Sequence, residues 1–412
     1  MIRIKQSLAL LGFYALALIA LETGLRGVFA WRDRSDPPPA PVADLRAALP
    51  AYEGATYDPV ETWREIWDGS DRWLRYEPYT VWRRSDNGAL VSVDERGRRA
   101  THHNSSEPDA LEVWTLGGST MWGMGVPDAE TIPSHLARLL NQWGVDTRVS
   151  NLGRTGFVSM QEVLELLRAL QSGSRPDIVV VYDGANEAIG AVEAPEIPNP
   201  HYLMKRIRGL FEGEQSELQR PWRALLEQTA FYRLSRSLRA RSGLLPEAPP
   251  TKPREAPPTP PNGALGAEYL ARNYGFIDAL AVDNGFVPFF FFQPRPGVGE
   301  KPLHESEREI LAQLAENPEQ VWILEFTRAL RAGIGERIER GGVPRRTLDI
   351  ADVFADVSEA VYIDWVHVSH RGNRIVAQRL FEILQRGLCE EPPPRVRPVP
   401  AEQLRVACGR RA

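Results

Sequence analysis

At 412 residues the chain has room for two or three units, at least one with a substantial core, which excludes peptide hormones and disulfide-built miniproteins. Its 43% hydrophobic and 25% charged residues are those of an ordinary globular protein, and 49 basic against 54 acidic side chains leave a net charge of -5, which gives no reason to expect nucleic acid as a partner. After the N-terminal segment no apolar run is long enough to span a bilayer, so transporters and channels are excluded too.

Arg3 and Lys5 precede an apolar stretch from Leu8 to Leu21; Glu22 interrupts it, and Leu25, Val28, Phe29 and Trp31 resume it. A basic segment followed by an apolar one is an export signal. Counted on to Trp31, with Glu22 and Arg26 near the outer interface, the length suffices to span. Residues 1–31 are therefore expected to be an uncleaved signal anchor. Cleavage after Ala30 is the alternative, opposed by the two charges before that site. The positive-inside rule then places everything after Trp31 outside the cytoplasm, periplasmic or at the cell surface. Cys389 and Cys408, both near the C-terminus, either form a bridge suited to an oxidising space or are two unrelated thiols; neither has metal-ligand spacing.

Residues 32–50 are rich in Pro, Asp and Ala without period and read as a stalk. Within a small N-terminal subdomain, taken with the stalk as residues 32–106, a short helix and a hairpin are expected, the latter from the alternation at Ala89–Val93 and a turn at Glu95–Gly97. Trp63, Trp67, Trp73 and Trp82 in this region are assigned to packing on the main domain rather than to stacking on a sugar. His102 and His103 lie in a polar loop without acidic or thiol partners and are expected to be solvent-exposed.

The main unit, 107–388, opens with a buried strand, Leu111–Leu116, running into Gly117, Gly118 and Ser119. Ile132, Leu136, Leu139, Leu140 and Trp143 mark an amphipathic helix, Thr147–Leu152 a second strand, and Val163 to Leu170 a second helix. Asp177–Tyr182 is a strand buried on both faces. Further strands are expected at Phe286–Phe292 and Arg346–Ile350, further helices at Ala267–Val282, Val321–Ile338 and from about Gly372 to Leu384. Strands alternating with helices predict a three-layer α/β/α sandwich with a mostly parallel sheet. An insertion at about 195–264 holds two helical stretches, Tyr202–Phe211 and Trp222–Leu238, which suit a lid, and then the Pro-rich loop Pro246–Pro261. Residues 389–412 read as a tail, and the Arg-rich stretch Arg328–Arg346 as a solvated helix face and loop.

In open parallel sheets ligands gather at the carboxyl ends of the strands. Four such ends carry polar or glycine residues: Ser119 after the first strand, Gly153 and Gly156 after the second, Gly184 and Asn186 after the third, Asp364 and His367 after the last. That set suits acyl transfer. His367 can take the proton of a serine hydroxyl as its bond to a carbonyl forms, and Asp364, three residues earlier, can hold the imidazole in the correct tautomer. The backbone N–H of Ser119 at a helix start, the unobstructed N–H of Gly156 and the side-chain amide of Asn186 are candidate oxyanion donors. Gln293 and Pro294, after the Phe-rich strand, either line the pocket rim or end the strand.

These segments resemble the SGNH, or GDSL-type, hydrolase family. Leu116-Gly117-Gly118-Ser119-Thr120 matches its first block, Asn151-Leu152-Gly153-Arg154-Thr155-Gly156 its second, Gly184-Ala185-Asn186-Glu187 its third and Asp364-Trp365-Val366-His367 its last. The resemblance implies a flavodoxin-like sandwich, Ser119 as nucleophile, Gly156 and Asn186 with it in the oxyanion hole, and Asp364 and His367 completing the triad. Gly118 and Glu187 stand where the family usually has Asp, and neither position carries the proton transfer or the oxyanion contact. His370 is a competing base, but only His367 has Asp three places before it. Met121, two places after the serine, departs from the nucleophile elbow of the α/β-hydrolases.

The expected activity is a serine esterase removing small acyl groups, acetyl foremost, from an extracytoplasmic carbohydrate through an acyl-enzyme, with neither metal nor organic cofactor required. O-acyl transfer to an exported polysaccharide is the alternative on the same residues; it would need a multi-span partner to bring an acyl donor across the membrane. A catalytically silent glycan-binding or scaffold protein is the third reading.

Overall fold

The computed structural model describes residues 2–35, 44–67, 74–85, 88–195, 199–211, 229–232, 234–235, 262–394 and 397–409. They belong to two compact units, residues 1–42 with 205–256, and residues 43–204 with 257–412.

In the first unit α1 (Ile2–Ser35) is one unbroken helix. Its segment Gly12–Trp31 is apolar and long enough to cross a membrane, since 20 residues rise roughly 30 Å at 1.5 Å each. On it Glu22 pairs with Arg26 at 2.8 Å and accepts the backbone N–H groups of Ala230 at 2.7 Å and Phe231 at 3.1 Å. These two residues come from the expected helix Trp222–Leu238, most of which lies outside the described residues, as does Pro246–Pro261.

The second unit begins where a stalk was expected. Asp44 starts a 3-10 turn over Leu45–Ala48, a second turn covers Pro50–Tyr52, and α2 (Pro59–Trp67) follows. The stretch is therefore folded from Asp44 on, with Pro50 opening the second turn, while residues 36–43 lie outside the described residues. The hairpin is also not where the alternation put it: β1 (Leu74–Glu77) and β2 (Val81–Arg84) form it, while Ala89–Val93 contributes only a bridge between Val93 and Arg99. Trp73 lies outside the described residues.

Five strands then build one sheet: β3 (Leu111–Gly117), β4 (Thr147–Asn151), β5 (Ile178–Asp183), β6 (Val287–Phe292) and β7 (Thr347–Asp349), in the order β4-β3-β5-β6-β7 with every pair parallel. This is the flavodoxin-like order. β5 is buried at all six positions, which its unbroken Ile-Val-Val-Val run of β-branched residues suits. Alternate strand residues serve opposite faces. Val113, Val180 and Phe289 pack with Leu136 and Leu140 of α4 (Ile132–Gln142) and with Val376, Leu380 and Leu384 near the chain end, whereas Trp114, Val179, Val181 and Phe290 meet Leu166 of α5 (Ser159–Gln171), Tyr274 and Leu330. The three-layer sandwich follows from that division.

Further helices follow among the described residues. After α3 (Ser119–Trp122), α6 (Asn186–Glu193) and α7 (Met204–Phe211) come α8 (Gly263–Asn284), α9 (Glu305–Ala315), α10 (Pro318–Arg340) and α11 (His370–Glu390). The C-terminal residues form a helix, α12 (Pro398–Gly409), rather than a tail: Leu404 and Ala407 join the core, and a Cys389–Cys408 disulfide ties α12 to α11.

The segment before β3 has no core of its own. Tyr52, Trp63, Ile66, Val91 and Val93 pack with Trp122, Met124 and Ile363, so it is held against the loops that follow β3 and β7.

Candidate active site

β3 ends in Gly117 and the chain turns directly into α3, which puts Ser119 at a helix N-terminus above the sheet. The loop beyond α3 is fixed by Arg99, whose buried guanidinium donates to the carbonyls of Trp122, Gly123 and Val126 and pairs with Asp128 at 2.7 Å. Thr120 donates its hydroxyl to Gln293 Oε1 at 2.9 Å, so the residue after β6 braces the serine turn from across the end of β5.

The last block lies in the loop between β7 and α11. Asp364 Oδ1 accepts the backbone N–H groups of Val366 at 3.0 Å and His367 at 2.8 Å, while Oδ2 faces His367 Nδ1 at 2.7 Å. A carboxylate only accepts, so Nδ1 carries the proton and Nε2 presents a lone pair. Ser119 Oγ stands 2.7 Å from that nitrogen, and its hydroxyl donates to it. Burial alone would raise the Asp364 carboxyl, but the imidazole and backbone N–H of His367 and the charge of Arg46 hold it well below the usual carboxylate range. His370 starts α11 with its ring edge-on to Tyr57 at 5.8 Å and takes no part in this chain.

Two residues outside the sequence expectation hold this loop. Glu307 of α9, fully buried, accepts the backbone N–H groups of Val361 at 2.9 Å and Tyr362 at 3.0 Å through Oε1, and its Oε2 meets Lys301 Nζ at 2.7 Å. Arg295, just past β6, donates Nε to the Trp365 carbonyl at 3.1 Å and stacks on the Trp365 ring; burial pushes its guanidinium down to about 9.

The donors converge from the other two strand ends. Asn186 begins α6, and its Nδ2 donates to the Phe157 carbonyl at 2.7 Å, which joins the third block to the second. A Cβ on Gly118 would sit 2.1 Å from that same Nδ2, so the amide lies directly against the residue before the serine. This leaves room at position 118 for glycine alone. Gly156 takes φ +75°, and a Cβ there would strike the Tyr202 ring at 2.6 Å. Ser119, Gly156 and Asn186 are each partly open to solvent, whereas their immediate chain neighbours are all buried.

Behind it, Glu187 accepts the Ser159 backbone N–H at 2.8 Å. Glu162, Asp183 and Glu187 form a buried carboxylate group in which burial pushes every member upward and neighbouring charge pushes Glu162 and Asp183 further.

A flavodoxin-like sheet with a serine, two donor-bearing loops and an Asp-x-x-His pair at four strand ends is a specific combination. The structure brings all four of the sequence blocks to the carboxyl ends of one parallel sheet. No family model and no curated protein matches the chain. Among solved structures, the chain is similar to a member of the lipolytic protein G-D-S-L family from Veillonella parvula, at 12% identity over 67% of this chain and 100% of that one, with a TM-score of 0.32. It is similar to an acetylxylan esterase from Geobacillus stearothermophilus at 13% identity over 68% and 95%, TM-score 0.32, and to another acetyl xylan esterase at 13% over 66% and 98%, TM-score 0.34. At these identities the likeness is one of fold.

Proposed function

We propose that the protein is a membrane-anchored serine esterase that removes small acyl groups, acetyl foremost, from an extracytoplasmic carbohydrate. The observation that carries this reading is the unbroken hydrogen-bond chain from Ser119 Oγ through His367 to Asp364, 2.7 Å at each step. As Ser119 Oγ bonds to the ester carbonyl carbon, His367 Nε2 takes its proton, and Asp364 stabilises the imidazolium without accepting that proton. Charge collecting on the carbonyl oxygen is met by the Ser119 and Gly156 backbone N–H groups and by the Asn186 amide. His367 then returns the proton to the departing alcohol, leaving an acyl-serine; a water, deprotonated by the same imidazole, releases the acid and regenerates the hydroxyl.

The compartment supports the substrate class. With Arg3 and Lys5 on the cytoplasmic side, a spanning α1 leaves the esterase unit outside, where glycans are the abundant acylated alcohols.

The test is the full-length protein in detergent on a panel of short acyl esters and acetylated glycans. S119A and H367A are expected to lose at least about a thousandfold in kcat, and H370A to stay near wild type. Wild-type turnover by S119A would remove Ser119 as nucleophile. Product analysis with an added glycan acceptor separates hydrolysis from transfer, and failure of an organophosphonate to label Ser119 would favour a silent scaffold.

A further inference from the structure

Arg46 lies in the stretch that reads as a stalk, yet its side chain reaches the triad. Nη1 donates to Asp364 Oδ2 at 2.7 Å, the same oxygen that accepts from His367. The rest of the guanidinium is held in place: Nε and Nη2 take Asp44 as a fork at 2.9 and 2.7 Å, and the plane lies 3.8 Å over the Trp63 ring. Asp44 in turn accepts the Trp67 indole N–H at 3.1 Å, and Trp67 stacks on Trp63. A surface ion pair is worth little because both partners wander. Here one partner is fixed on two sides before it meets the other, and the carboxylate is largely buried, with 13% of its side chain exposed.

We propose that Arg46 is a positioning residue of the esterase reaction, holding Asp364 Oδ2 on His367 Nδ1 and sharing its negative charge. This rests on the triad reading above. The fork and the ring leave the guanidinium one orientation, so Asp364 keeps the rotamer that aims Oδ2 at the imidazole. The other charged or titratable groups facing the pair are Asp44 from the same turn, Tyr52 from the next turn, Arg295 beyond β6 and Ser119 itself.

The experiment measures kcat and KM separately for a chromogenic short acyl ester in full-length wild type, R46M, R46K and S119A, with active sites counted by organophosphonate labelling. R46M keeps a stem on Trp63 and loses fork and charge. It is expected to lose roughly ten- to a hundredfold in kcat with KM little changed. R46K keeps the charge without the fork and is expected to recover part of that loss. Wild-type kcat in R46M overturns the proposal; if R46M does not fold, wild-type kcat in R46K does so. Full activity in S119A would instead sink the triad reading, a result separate from either Arg46 outcome.

Discussion

Trp82 donates its indole N–H to the Thr155 carbonyl at 2.9 Å, one residue before Gly156. The same indole packs against Phe157 and Tyr202, at ring-centroid distances of 5.6 and 4.9 Å, so the hairpin formed by β1 and β2 holds the loop that bears Gly156, the proposed oxyanion donor. W82F keeps an aromatic ring and loses the donor. It is expected to lower kcat roughly two- to tenfold while KM stays near wild type, measured by steady-state kinetics on a short acyl ester.

Asn186 and Gly118 form a tightly packed pair, and the two substitutions have different signatures. N186A removes a donor and is expected to cost about 100- to 1,000-fold in kcat. G118D, which installs the usual family residue, forces a Cβ onto the amide that donates to Phe157. It should impair turnover instead of improving it, and G118D activity at or above wild type would show that the amide can move aside.

Glu307 and Lys301 are both buried, with 0% and 3% of their side chains exposed. Removing one leaves the other charge without its partner, so E307A is expected to lose about 3 to 5 kcal/mol of stability, and K301M/E307L much less. Chemical unfolding of the two variants decides it, and equal losses would contradict the ion-pair account.

Burial raises the carboxylates of Glu162, Asp183 and Glu187, and neighbouring charge raises the first two further, so the folded protein keeps protons that these groups give up on unfolding. Their contribution to stability is full below the ordinary carboxylate range and is lost as pH rises through the folded-state values. Melting temperature should therefore fall as pH rises above the ordinary carboxylate range, and E162Q should flatten that slope and raise the melting point at its alkaline end. A wild-type melting curve that rises with pH above that range would refute it.

The candidate site could be located in the sequence because it sits at strand ends, where a buried run such as Ile178–Val181 announces the strand and the next few residues must be the rim. What held the rim was not readable. β1 and β2, Leu-Arg-Tyr-Glu and Val-Trp-Arg-Arg, carry too many charges for a clean alternation. α9 begins Glu-Ser-Glu-Arg and its buried Glu307 is polar, so no apolar period marked the helix that holds the triad loop. Pro398 and Pro400 hid α12 by reading as a breaker, although both fall in the helix's first turn, where proline is tolerated. Arg46 was obscured by its neighbours: a Pro- and Ala-rich surrounding suggests mobility, and only a partner 318 positions away makes it ordered.

That separation sets an order of events. Ribosomes deliver the chain from its first residue onward, so Asp44, Arg46 and Ser119 are made long before Asp364 and His367, which follow Ser119 by 245 and 248 positions. Until then the serine lacks the imidazole and Arg46 has only Asp44 to hold, so the hydrogen-bonded group is completed in a late step.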